Sequence, residues 1–177
     1  KPTTWERWDS IVEKNIGPEI GHIPLGKLSG LHLDKYYRDA LLSGHRQKEG
    51  GLSARTVLHH HRLLYQALKR AVKLRLIRFN PASDAIAPKP DDQEIEFLSD
   101  EEAADLLNFL KESELYVPTL LALATGLRRG ELLALRWKDV DLRSGILTVN
   151  QNVVETAQGL IYQSPKSKRS RRSITLP

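Results

Sequence analysis

The sequence contains no cysteine and no methionine, and aromatic residues make up only 6% of its 177 positions. Without thiols, disulfides, thiolate zinc sites and thiol nucleophiles are excluded, and the composition fits a reducing compartment. A chain that opens KPTTWERW with no initiator residue reads as an excised or processed piece, with flanking sequence expected at both ends. No apolar run approaches ~18 residues and no charged-then-apolar leader opens the chain, so neither a membrane span nor a secretory signal is expected. The default is a soluble cytoplasmic protein.

What is present is positive charge, unevenly placed. Lysine and arginine number 27 against 22 acids, a net +5 that favours a polyanionic partner. Residues 1–90 hold 16 basic and 8 acidic side chains, whereas residues 91–177 hold 11 and 14. This asymmetry, in a chain long enough for two small cores, predicts two differently charged domains.

The apolar spacing of Trp5, Trp8, Val12 and Ile16, with Ile11 beside them, predicts the buried stripe of a first helix that Gly17 and Pro18 stop. Ser29 caps a second helix over Gly30–Ser43, whose Leu33, Tyr36, Tyr37, Ala40 and Leu41 keep helical spacing. Ser53 opens a third that runs to about Arg78, where Asn80-Pro81 ends it. On this third helix Arg55, His59, Arg62, Gln66, Lys69 and Lys73 share one face, with Arg70 at its margin, and Val57, Leu64, Leu68, Ala71 and Val72 lie opposite.

A proline- and acid-rich stretch follows, placing a linker over 91–96 between a helical domain (1–90) and a second domain (97–177). Ser99 and Glu102 form a capping box ahead of Ala103, Leu106, Leu107 and Leu110. A further helix runs from about Val117 to Ala124, Gly126 breaks it, and another starts near Arg128. GILTVNQNVVE and LIYQS, separated by TAQG, read as a β-hairpin, and RRSITLP as the start of a third strand. The fold expected is mainly α, a helical domain followed by the start of a mixed α/β domain with a small antiparallel sheet.

The stretch ATGLRRGELLALRW places Arg128 in the first turn of a helix, where free backbone N–H groups repel a cation and attract a phosphate. Arginine is useful there if an anion is shared between it and those donors, with Glu131 holding the guanidinium. A surface arginine paired with a carboxylate satisfies the same spacing.

The longer segment TGLRRGELLALRWKDVDL closely resembles the first catalytic-arginine box of the tyrosine recombinase (phage integrase) family. LSARTVLHHHRLLYQALKRAVKLRLIRFNPA resembles the long DNA-binding helix of that family's core-binding domain, and SPKSKRSRRSITLP its lysine-bearing hairpin. The resemblance implies site-specific DNA recombination and integration, as in phages and other mobile elements. A tyrosine attacks a phosphodiester to form a 3′-phosphotyrosyl bond, while arginines and a histidine grip the phosphate and a lysine protonates the departing 5′-oxygen.

Carried over by motif, Arg128 is the phosphate-clamping arginine, Glu131 the supporting acid and Lys166, with Lys168 as the alternative, the general acid. Arg55, His59, Arg62, Gln66, Lys69, Arg70, Lys73, Lys168, Arg169 and Arg171 are the candidate DNA contacts. The family also implies a clamp around double-stranded DNA, a homo-oligomer (a tetramer on DNA) in the full-length protein, no cofactor or metal, no small-molecule substrate and no membrane.

The family's His-x-x-Arg pair, its further histidine or tryptophan and its nucleophile come later than this hairpin. Tyr36, Tyr37, Tyr65, Tyr116 and Tyr162 all precede the lysine and none matches that nucleophile, so the expectation is a fragment that binds DNA without cutting it. The rival reading is a non-catalytic DNA-binding regulator using the basic third helix alone. The run His59 to His61 is not expected to bind a metal, because successive helical side chains point about 100° apart. Trp5, Trp8 and Trp137 are expected to pack, and His22 to be a turn residue.

Overall fold

The computed structural model describes residues 2–44, 50–91, 94–164 and 171–176. Two compact units emerge, Lys1–Glu94 and Ile95–Pro177.

The first unit is helical. α1 (Pro2–Ile11) does not stop at Gly17 and Pro18 as the sequence suggested. It passes through a π turn (Val12–Ile16) into α2 (Gly17–Ile20), and the Gly17 N–H reaches back five residues to the Val12 carbonyl. Pro18 lies in the first turn of α2, where its missing N–H costs little. The extra residue in the π turn shifts the apolar register. Ile11, Ile16 and Ile20 face the core, while Trp5 (66% exposed), Trp8 and Val12 turn outward, against the expectation that they were buried.

α3 (Gly30–Ser43) has the predicted bounds, and its start is fixed by the Ser29 N–H donating to His32 Nδ1 at 3.1 Å. α4 (Ala54–Lys73) is capped by the Ser53 hydroxyl, which accepts from the Thr56 N–H. It ends five residues earlier than expected. Arg75 adopts a left-handed φ of 60°, and the bonds Arg75 N–H to Val72 O and Leu76 N–H to Ala71 O close a Schellman turn there. A side chain other than glycine in that conformation was not legible as a helix stop.

The core of this unit gathers Leu33, Tyr36, Tyr37 and Ala40 of α3 against Val57, Leu64 and Leu68 of α4. His60 is buried among them, with its Nδ1 2.8 Å from the Tyr36 hydroxyl, and His61 Nδ1 lies 3.0 Å from that of Tyr37. Burial, followed by the charge of Glu19, pushes the Tyr36 phenol well above its ordinary pKa. Burial also lowers the His60 imidazole, so a neutral pair joins the two helices.

In the second unit, the expected capping box opens α5 (Asp100–Phe109): the Ser99 hydroxyl accepts from the Glu102 N–H, and the Glu102 carboxylate accepts from the Ser99 N–H. α6 (Tyr116–Thr125) ends at Gly126, whose φ of 62° suits glycine. Then comes α7 (Arg129–Leu132), a single turn.

Three short strands, β1 (Val140–Asp141), β2 (Ile146–Thr148) and β5 (Ser173–Thr175), form an antiparallel sheet in the order β1-β2-β5. Its register pairs Val140 with Leu147 and Leu147 with Ile174. β3 (Asn152–Thr156) and β4 (Gly159–Gln163) form the predicted hairpin as a separate two-stranded sheet. GILTVNQNVVE is therefore two strands. The chain breaks where Gln151 Nε2 donates to the Ala134 carbonyl and Asn150 Nδ2 to Asp139.

Leu127, Leu147 and Val149 form the small core, with Leu132, Leu135, Val140 and Ile174 against it. Trp137 does not join it, contrary to expectation. It is 83% exposed on the rim of an open apolar hollow of about 530 Å³. Among the described residues, no helix is long and apolar enough to cross a membrane.

Candidate functional site

Glu131 is the centre of the site in the second unit. It is only 5% exposed, yet it is a carboxylate, so it needs partners for every lone pair it turns inward. Four N–H groups supply them. The Arg128 backbone N–H donates to Oε2 at 3.0 Å and Arg128 Nη1 to Oε1 at 3.0 Å. Arg172 approaches as a fork, with Nη2 at 2.9 Å from Oε2 and Nη1 at 3.3 Å from Oε1.

Burial alone raises the Glu131 pKa, but the hydrogen bonds from Arg172, then from the backbone and side chain of Arg128, outweigh it and hold the carboxyl at about 2. The group is an anion at any physiological pH.

Local geometry explains the placement. The turn Gly126-Leu127 buries Leu127 and leaves Arg128 in an extended conformation immediately before α7, so that Glu131, three residues on, folds back to its N–H. Gly130 allows α7 to lie directly on β3, because a Cβ there would sit 2.6 Å from the Val153 carbonyl and 2.1 Å from Asn152 Oδ1. Arg172 arrives along β5, where its own carbonyl accepts from the Val149 N–H at 2.8 Å.

A second buried acid, Asp139, braces the turn that follows. It accepts from Arg136 Nε at 2.6 Å and Nη2 at 3.0 Å, and from Asn150 Nδ2 at 2.8 Å. These bonds, that of Arg136 foremost, bring its pKa down to about 2.

Arg128 itself is 74% exposed. Among the described residues, only Nη1 of its guanidinium has a hydrogen-bond partner. The expectation that a helix dipole supports an anion here needs correction. α7 is one turn long, too short for a macrodipole of consequence, so what holds Arg128 is the buried carboxylate. Arg129 is exposed on the next position and Arg171 is exposed beside Arg172.

Lys166, Lys168 and Arg169 lie outside the described residues. Arg172 was missed by sequence reasoning. It stands 41 residues from Glu131, and nothing in RRSITLP distinguishes it from Arg171 except the strand alternation that turns one inward.

In the first unit, Arg55, Arg62, Gln66, Lys69, Arg70 and Lys73 are all exposed along α4, and His59 is half-buried among them. Burial, then the charges of Arg7, Arg62 and Arg55, lower the His59 pKa, so it contributes a neutral imidazole to a cationic face. Among the described residues, no group of three or more potential ligands could hold a metal ion.

The model of the phage integrase family matches residues 96–176, which include Arg128, Glu131 and Arg172. A tyrosine recombinase XerC-like protein of Caldanaerobacter subterraneus is 27% identical over all of this chain and 48% of its own length. The match to the phage integrase family covers 81 of the 177 residues, all of them in the second unit.

A shufflon-specific DNA recombinase of Escherichia coli is 32% identical over 79% of this chain and 36% of its own length. The structure of the Tn1549 transposon integrase in complex with a circular intermediate DNA superposes on all of this chain, with a TM-score of 0.77 and 25% identity, over 56% of that chain. The chain spans about half the length of the relatives it matches, or less.

Proposed function

We propose that this chain is the DNA-binding and first catalytic portion of a tyrosine site-specific recombinase acting on double-stranded DNA in the cytoplasm, as a homo-oligomer in its full-length form. The observation that carries the reading is the exposed guanidinium of Arg128 held from beneath by a buried, doubly paired Glu131. An arginine fixed in that way, with two guanidinium nitrogens that have no partner among the described residues, can grip a phosphate without reorganising, which is what stabilising a pentavalent phosphorane requires.

In this proposal Arg128 grips the non-bridging oxygens of the scissile phosphate. A tyrosine supplied elsewhere in the full-length protein attacks phosphorus and forms a 3′-phosphotyrosyl bond. Lys166 or Lys168 delivers a proton to the departing 5′-oxygen. The phosphotyrosyl ester conserves the bond energy for the second transesterification, so the chemistry calls for no nucleotide or metal. Arg55, Arg62, Lys69, Arg70 and Lys73 on α4 run along the DNA backbone, with His59 and Gln66 between them, and Arg169 and Arg171 add contacts near the site.

The test is the salt dependence of duplex binding by the 177-residue chain, followed by fluorescence anisotropy. Each phosphate contact removed should flatten the log–log salt slope by about 0.9, so Arg62→Ala with Lys69→Ala should reduce it by roughly 2 on unrelated sequences alike. An unchanged slope and affinity would remove α4 from the interface.

A further inference from the structure

The network beneath Arg128 is asymmetric. Arg128 gives Glu131 one side-chain bond from a largely solvated guanidinium, whereas Arg172 gives it two, and its side chain is 30% exposed against 74% for Arg128. A bidentate fork fixes the plane of a carboxylate, and a single bond does not. Glu131 also has no other side-chain partner among the described residues. The orientation of Oε1, on which the Arg128 guanidinium rests, is therefore set chiefly from β5.

We propose that Arg172 is a positioning residue, which locks the Glu131 carboxylate by its fork and thereby fixes the guanidinium of Arg128 for phosphate. The inference rests on the proposed role of Arg128 as the phosphate clamp. Arg172 also follows Lys168 by four residues in the sequence, so its ion pair anchors the strand downstream of both candidate general acids to the helix that carries the clamp. The strong depression of the Glu131 pKa, in which Arg172 is the foremost of the lowering influences, agrees with that division of labour.

The test uses the 177-residue chain and the Arg128 side-chain Nε–Hε resonance, compared among the wild type, Arg172→Lys and Arg172→Ala, with the melting temperature recorded in parallel. Side-chain order at Arg128 should fall by about half in Arg172→Ala on the fast timescale that relaxation reports. Arg172→Lys keeps the charge but replaces the fork with a point donor, and should recover most of the melting temperature while recovering little of the order. If Arg128 keeps its wild-type order in either folded variant, the proposal is wrong. A lowered melting temperature with Arg128 unmoved is the signature of a simple strand-to-helix staple and equally overturns it. Should Arg172→Ala fail to fold, Arg172→Lys decides alone. Because the readout is the order of Arg128 and not DNA chemistry, it can fail while the phosphate-clamp reading stands, and the reverse.

Discussion

Replacing Glu131 with glutamine keeps the shape of the side chain and removes its charge. Glutamine offers one carbonyl oxygen where the carboxylate offered two, and its amide nitrogen would face a guanidinium, donor against donor. Both Arg172 bonds and both Arg128 bonds are affected, and Arg172 is too enclosed for water to replace its partner in full. Breaking a buried ion pair by removing one member costs about 3–5 kcal/mol. For a unit the size of Ile95–Pro177, each kcal/mol moves the melting temperature by about 4–8 °C, so the second unit should melt roughly 12 °C or more below the wild type at pH 7.

The pH dependence supplies an internal control. The Glu131 pKa is lowered on folding, so its contribution is complete above its ordinary value of 4.5 and is lost as pH falls toward about 2. The gap between wild type and Glu131→Gln should narrow over that window, measured by urea titration at a series of pH values. A variant as stable as the wild type at pH 7, or a gap that stays constant down to pH 3, would refute the claim that this carboxylate is the anionic keystone of the unit.

Gly130→Ala places a Cβ against the Val153 carbonyl and Asn152. The separation of α7 from β3 that follows should cost about 1–3 kcal/mol in chemical denaturation, and an unperturbed variant would show that the contact gives way easily. Tyr36→Phe removes the hydroxyl facing the buried His60 and should cost the first unit about 1–3 kcal/mol. His59, His60 and His61 all have lowered pKa values, burial being the first cause in each. The unfolded chain therefore binds their protons more readily, and stability of the first unit should be full above pH 6.5 and decline as pH falls below it. Urea midpoints that do not change between pH 7.5 and pH 5.5 would contradict this.

Features written in local sequence were legible. The bounds of α3, the Ser53 and Ser99 caps, the exposed basic face of α4 and the β3–β4 hairpin all follow from spacing within a few residues. What escaped depends on backbone register or on distant pairing. The π turn at Val12–Ile16 rotates one part of the helix against the next, so a stripe at regular 3.6-residue spacing misassigned Trp5, Trp8 and Val12. Arg75 ends α4 in a conformation that usually announces itself with glycine. His60 is polar by type yet sits in the core, because a tyrosine 24 residues away meets its ring nitrogen. At the site, Arg128 and Glu131 were visible as neighbours one helical turn apart. Arg172 was not, since its place beside Glu131 depends on β5 pairing with β2.

The central claim is that Arg128, as oriented by Glu131, clamps the scissile phosphate. It is tested most directly by measuring strand cleavage of a suicide DNA substrate by the full-length protein carrying Arg128→Lys or Arg129→Lys. Lysine keeps the charge of Arg128 but not its planar pair of donors. Losing one preorganised donor to a transition-state oxyanion costs about 2.7–4 kcal/mol, or ~10²–10³ in rate. Arg128→Lys should therefore cut slower by at least that factor while binding its site nearly as well. Arg129, exposed at the first position of α7, should tolerate the change within roughly tenfold. Cleavage that survives Arg128→Lys and collapses with Arg129→Lys would contradict the account.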